Sequence, residues 1–243
     1  HSDGVYTPAE LVRIAKEEGY GAVAVTDHDT ITGFPELRTE CEKLGMEYIF
    51  GAEFSTKEGF HVVGFDFDPE EPNMKRYLWE MSERETNETK TLVERGLSEG
   101  LISGITWEEV VEYNKGITWL CNDHVFAAMK AKGVITDAEY PNFFDTVFGN
   151  RRGEVPLLYP WRPVKDTIKL IKNAGGIAIV AHPSNQLHLI SELMEYGLDG
   201  LEVWHHALSE EKRREAFHIA MENNLYISGG SDHEGILGGQ YER

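Results

Sequence analysis

The chain has 243 residues, 41% hydrophobic and 27% charged, an ordinary globular composition long enough for one large α/β domain or a domain carrying an insertion. With 23 Lys and Arg against 42 Asp and Glu, the formal net charge is -19. That balance argues against an extended nucleic-acid duplex or a membrane surface held by charge, but it leaves room for a small phosphate site where metal ions supply positive charge. Cys41 and Cys121 are far apart and match no disulfide framework or metal spacing, so a reducing, cytoplasmic setting is expected. No apolar run is long enough for a membrane helix, and no signal-peptide pattern is visible. Because the sequence opens at His1 without a methionine, residues preceding it are expected.

In chain order, Thr7-Pro8-Ala9-Glu10 predicts a capped helix start, with Glu10 closing a capping box. Leu11, Val12, Ile14 and Ala15 give that helix an apolar face, and Gly19 ends it. A buried strand follows at about 22–26, then a helix at about 34–44 and a strand at 48–52 ahead of Glu53. Helix, strand, helix, strand implies parallel pairing with right-handed crossovers. From about 68 to 160 helical signals dominate, with one long helix over 74–100 and shorter ones at 107–114, 123–132 and 137–148. Alternation resumes with a helix at 164–175, a strand at 177–181, a helix at 188–196, a strand at 200–204, a helix at 209–223 and a strand at 225–228. The reading is an α/β chain in which 1–68 and 161–243 build one domain and 69–160 form a helical insertion. No internal repeat or low-complexity segment interrupts it.

Single histidines and carboxylates sit at the ends of the apolar runs. His28 follows Ala22-Val23-Ala24-Val25-Thr26-Asp27, Glu53 follows Tyr48-Ile49-Phe50-Gly51-Ala52, and His61 opens Val62-Val63-Gly64-Phe65. His182 follows Ile177-Ala178-Ile179-Val180-Ala181, and Asp232 follows Gly229-Gly230-Ser231. Each has a plain structural alternative: Asp27 and Asp29 capping a turn beside an exposed His28, a salt-bridged Glu53, a backbone-bonded His182, a turn-capping Asp232. Their recurrence at equivalent ends of successive strands favours a shared metal centre, for which imidazole and carboxylate suit zinc, manganese or iron.

The segments Ser2-Asp3-Gly4, Thr26-Asp27-His28-Asp29-Thr30, Gly51-Ala52-Glu53-Phe54-Ser55, His61-Val62-Val63-Gly64, Ala181-His182-Pro183, Gly200-Leu201-Glu202-Val203 and Gly230-Ser231-Asp232-His233 resemble the polymerase and histidinol phosphatase (PHP) family, in that family's order and across nearly the whole chain. The resemblance implies a distorted seven-stranded (β/α)7 barrel with a helical insertion, two or three divalent metal ions (Zn, Mn or Fe) at its C-terminal rim, and hydrolysis of phosphoesters. The insertion resembles the subgroup acting on nucleoside 3′,5′-bisphosphates and short RNA 5′ ends. Carried over by position, metal ligands are implied at Asp3, His28, Glu53, His61, His182 and Asp232, with His233 and His1 as further candidates. Among these, His28, Glu53, His182 and Asp232 are assigned to catalysis. His124 is implied at the substrate, with a surface position as the alternative; in Trp204-His205-His206 one histidine lines the substrate pocket, with His206 as the chosen contact, or both lie on the surface.

Two departures stand out. The family's His-x-His pair precedes Ser-Asp-Gly, whereas only His1 is present here. Its usual Asp-x-His is replaced by adjacent Asp232 and His233, which would point apart in an extended strand. Arg151, Arg152, Arg162 and Lys165 cluster where the insertion rejoins the barrel, either holding a second phosphate, with Arg152 as the chosen contact, or lying solvated. Tyr159 and Trp161 nearby either stack a base or pack. His188 and His218 read as surface or packing residues.

The expected reaction is in-line attack on phosphorus by a metal-bound hydroxide, with the metals stabilising developing charge and His233 or His206 available as proton donor. The expected partner is a small phosphorylated molecule, a nucleotide or short oligonucleotide. A histidinol-phosphate phosphatase is the alternative within this class, and a non-catalytic PHP module is the alternative outside it.

Overall fold

Helix α1 (Pro8–Glu17) begins at the expected capping box: the Thr7 hydroxyl accepts from the Glu10 N–H, and the Glu10 carboxylate accepts from the Thr7 N–H. The computed structural model describes residues 2–233, so His1 lies outside the described residues. A two-residue strand β1 (Ala22–Val23) leads to α2 (Phe34–Leu44), which stops at Gly45 in a left-handed turn with φ +63°. Strand β2 (Glu47–Tyr48) then pairs parallel with β1. Val12, Leu37, Cys41 and Met46 form a small buried core between these elements.

Strands β3 (Gly51–Ser55) and β4 (His61–Phe65) form an antiparallel hairpin, pairing Glu53 with Val63 and Ser55 with His61. The 56–60 link is too short for a parallel crossover, which needs about a dozen residues. Strand β5 (Ile177–Val180) continues antiparallel to β4, and β6 (Gly200–His205) and β7 (Tyr226–Gly230) add in parallel. The result is a mixed α/β fold whose described strands lie in a two-stranded and a five-stranded sheet. One bridge between His28 and Glu53 joins the two. The 48–52 stretch, expected as one strand, breaks into β2 and β3.

Between β4 and β5 runs α3 (Pro72–Ser98), followed by α4 (Trp107–Tyr113), α5 (Asn122–Ala131) and α6 (Tyr140–Phe143). The helix expected over 137–148 is instead a series of 3-10, α and π turns, because Pro141 is tolerated only in a first turn and forces a restart there. Helices α7 (Val164–Asn173), α8 (Ile190–Glu195) and α9 (Glu210–Glu222) alternate with the last strands. α3 serves two cores. Its Met74, Tyr77, Leu78 and Met81 pack with the sheet, while Leu92 and Val93 pack with Val110, Phe126, Phe143 and Phe148 of the helical segment. The cleft between those cores opens above the strand ends.

Candidate metal centre

Glu53 is the hub. It sits on β3 only 7% exposed, and an unpaired carboxylate there would be costly to bury. Three imidazoles surround it: His61 Nδ1 at 3.3 Å, His182 Nε2 at 3.5 Å and His28 Nδ1 at 3.7 Å. Asp3 stands 3.6 Å from the other His28 nitrogen. Five of the residues expected at the rim are therefore gathered around one point.

Local backbone explains how. Asp29 N–H donates to the Glu53 carbonyl and Glu53 N–H to the Asp27 carbonyl, placing His28 beside Glu53. Asp27 also accepts from the Ser2 amide and hydroxyl, which fixes the loop carrying Asp3. Asp29, His182 and Asp232 all adopt positive φ, at +49°, +29° and +48°, a strained conformation that holds only where surrounding contacts impose it. For Asp29 those contacts are visible: its carboxylate accepts from the Ser55 N–H and from the Tyr77 hydroxyl of α3. At His182 the buried Glu202 carboxylate accepts the main-chain N–H at 2.7 Å. Gly230 lies against that carboxylate with no room for a Cβ.

Charge follows the same geometry. Burial disfavours the imidazolium of His28, but Asp3, Glu53, Asp29 and Asp232 together outweigh it and raise its pKa to about 9. Burial likewise opposes ionisation of Glu53, yet His182, His61 and His28 hold its carboxyl well below the usual range. His182 is raised, chiefly by its contact with Glu53. Glu202 is pushed up to about 7 by burial, with Glu53 and Asp232 adding to it.

The donor set fits a divalent cation. The buried Nδ1 atoms of His28 and His61 have no hydrogen-bond partner although each faces Glu53. One ligand atom each from His28, Glu53 and His61 lies within 4.8 Å of the others. Imidazole nitrogens left without a partner around a carboxylate are what zinc, manganese or iron would satisfy once the metal displaces any proton they carry.

A cavity of about 410 Å³ extends from Asp3, His28 and His61 toward the helical segment, where Arg84, Trp119, Tyr140, Arg152 and Trp161 line it. Trp119 lies near-parallel to the His28 ring at 6.4 Å. Arg84 is 3% exposed, and its charge acts on the buried Glu88. Its Nε has no partner, and its guanidinium rests 3.6 Å above the Trp161 ring. The basic residues picked out from the sequence are otherwise engaged. Arg151 pairs with Glu99 and Arg162 with Glu80, while Lys165 sits over Tyr196. Arg152 does line the cavity, but it donates to Glu85 and Asn122.

The other expected residues fall as follows. Asp232 follows β7, and its charge acts on His28, His182 and Glu202. The His233 ring stacks on Tyr6 at 5.4 Å. His124 is buried at the start of α5, its Nδ1 accepting from the Cys121 N–H, and it lines a neighbouring cavity. His206 is exposed, whereas its neighbour His205 is buried with its ring 5.1 Å from that of His182. Sequence reasoning missed Arg84, the role of Glu202 and the Tyr77–Asp29 contact, and it left His205 and His206 as alternatives for one pocket position. For Arg84 a signal existed: Met81, Arg84, Glu85, Glu88 and Leu92 share the 3–4 spacing of the buried face of α3.

The chain is similar along most of its length to several known proteins. Over 95% of its length the chain is 30% identical to a 5'-3' exoribonuclease of Haemophilus influenzae, covering 85% of that protein. It is 27% identical to a 3',5'-nucleoside bisphosphate phosphatase of Chromobacterium violaceum, over 95% of this chain and 83% of that one. A solved structure of a proposed metal-dependent phosphoesterase from Bifidobacterium adolescentis superposes with a TM-score of 0.80 at 30% identity, covering 96% of this chain and 84% of that one. The PHP domain model matches residues 1–174, and the chain belongs to the PHP domain family.

Proposed function

We propose that the chain is a metal-dependent hydrolase of phosphoric esters whose substrate is a nucleotide carrying a second phosphate or the 5′ end of a short RNA. The observation that carries this reading is one cavity lined both by Asp3, His28 and His61 of the Glu53–histidine cluster and by Arg84, whose Nε has no hydrogen-bond partner. A buried guanidinium whose Nε has no hydrogen-bond partner has a donor left for an anion, and a planar fork of donors suits phosphate. Trp161 and Trp119 offer aromatic faces beside it, as a base would need. The names of the relatives point the same way.

Asp3, His28, Glu53, His61, His182 and Asp232 would hold the divalent ions, which when bound supply an activated water and neutralise charge on the phosphoryl group. The chain's own work is then placement. Glu53 fixes three imidazoles in register, Arg84 anchors the far anion so that the scissile ester lies at the rim, and the cavity walls limit water. Ions at this end also resolve how a chain of net charge -19 can bind an anion. The division into a barrel from 1–68 and 161–243 with a helical insertion at 69–160 fits the two separate cores.

The test is phosphate release by Mn2+-loaded protein from a nucleoside 3′,5′-bisphosphate, a short 5′-phosphorylated RNA and histidinol phosphate. Turnover of the first two above the third is expected. No release from any of them refutes the reading, and preference for histidinol phosphate refutes its substrate class.

A further inference from the structure

Of the imidazole nitrogens described, three are buried without a hydrogen-bond partner: Nδ1 of His28, Nδ1 of His61 and Nε2 of His205. The first two face Glu53 and suit a metal. His205 differs in its other nitrogen, since Nδ1 accepts the Ala207 N–H at 3.1 Å. A nitrogen that accepts a hydrogen bond carries no proton, so the proton of this imidazole sits on Nε2. Nε2 is thereby a donor and has no lone pair for a cation. It also lies beside the centre. His205 ends β6 opposite Gly230, its ring is 5.1 Å from that of His182, and it is 3% exposed. An unsatisfied N–H buried this deeply is costly unless a ligand meets it.

We propose that His205 is a substrate-binding residue whose Nε2–H donates to a phosphoryl oxygen held at the metal centre. This rests on the phosphoesterase reading above. The turn at Ala207 locks the tautomer, so this histidine binds the anion while its neighbours bind cations. His205→Asn keeps an acceptor oxygen near the Nδ1 position but removes the distal donor. His205→Gln places an amide N–H near the Nε2 position instead.

Inorganic phosphate is titrated calorimetrically into the Mn2+-loaded proteins, and Mn2+ into the metal-free ones. His205→Asn is expected to weaken phosphate by about 10- to 100-fold, the worth of a hydrogen bond to a charged acceptor, and His205→Gln to restore most of it. Mn2+ affinity should stay within about twofold in both variants, since no ligand is lost. Nitrogen-15 spectra of the wild type should place the ring proton on Nε2. Unchanged phosphate affinity in His205→Asn, a parallel loss of Mn2+ affinity, or a proton on Nδ1 would overturn the assignment. If the wild type turns over phosphoesters while His205→Asn binds phosphate equally well, this inference alone fails. If the wild type neither binds phosphate nor releases it, both readings fail together.

Discussion

Tyr77→Phe isolates the joint between the long helix and the metal rim. The Tyr77 side chain is fully buried, and its hydroxyl donates to Asp29 Oδ1 at 2.5 Å. Asp29 is 3% exposed and also accepts from the Ser55 N–H, so it ties α3 to β3 and to the turn that carries His28. Phenylalanine keeps the ring and its packing against Phe54, leaving no cavity. What is lost is one hydrogen bond to a buried carboxylate, worth roughly 1.5–3 kcal/mol. With a urea dependence of about 2–3 kcal/mol/M, the unfolding midpoint of the metal-free protein should fall by about 1 M. Mn2+ affinity should fall as well, by less than removal of a ligand would cause, because the His28 turn loosens while His28 remains. A midpoint unchanged within about 0.2 M would refute the claim that this bond anchors the rim.

Four further outcomes are expected. Gly230→Ala drives a methyl group into the Glu202 carboxylate that holds the His182 backbone, so it should cost about 1–3 kcal/mol of stability and weaken Mn2+ binding; a wild-type melting curve would contradict the packing described. Folding raises the pKa of His28 from 6.5 to about 9, so in the metal-free protein its contribution to stability is complete below pH 6.5 and is lost as pH climbs through 9. Metal must displace that same proton, so Mn2+ affinity should rise roughly tenfold per pH unit between pH 6.5 and 8.5, and a flat profile would show that His28 is not a ligand. Arg84→Gln should raise KM for a nucleoside 3′,5′-bisphosphate by about tenfold or more with little change in kcat for a monophosphate; equal effects on both substrates would remove the second-phosphate role.

The strand-end residues were legible because an apolar run that stops at a histidine or carboxylate marks where a buried strand meets the rim, whatever the sheet topology. His28, Glu53, His61 and His182 were found on that logic and lie together, and Asp3, implied only by the family resemblance, joins them. Topology was less legible. The expected parallel alternation passed over the β3–β4 hairpin, which the short 56–60 link permits, and the split of the 48–52 stretch depends on tertiary pairing that no local pattern records. The choice between His205 and His206 turned on parity along β6. A register shift between Glu202 and Trp204 leaves Glu202, Val203 and His205 buried with Trp204 exposed, so simple alternation misleads. Arg84 was hidden for a different reason. Charged residues on a long helix ordinarily face water, and only the second core packed against α3 turns that face inward.

The most direct measurement is the Mn2+ stoichiometry and affinity of the wild type beside Glu53→Ala at pH 8. The geometry predicts at least one tightly bound ion in the wild type and a loss of about 100-fold or more when the carboxylate shared by three imidazoles is removed, with the fold retained. Equal binding by the two proteins, or none by the wild type, would contradict a metal centre built on Glu53.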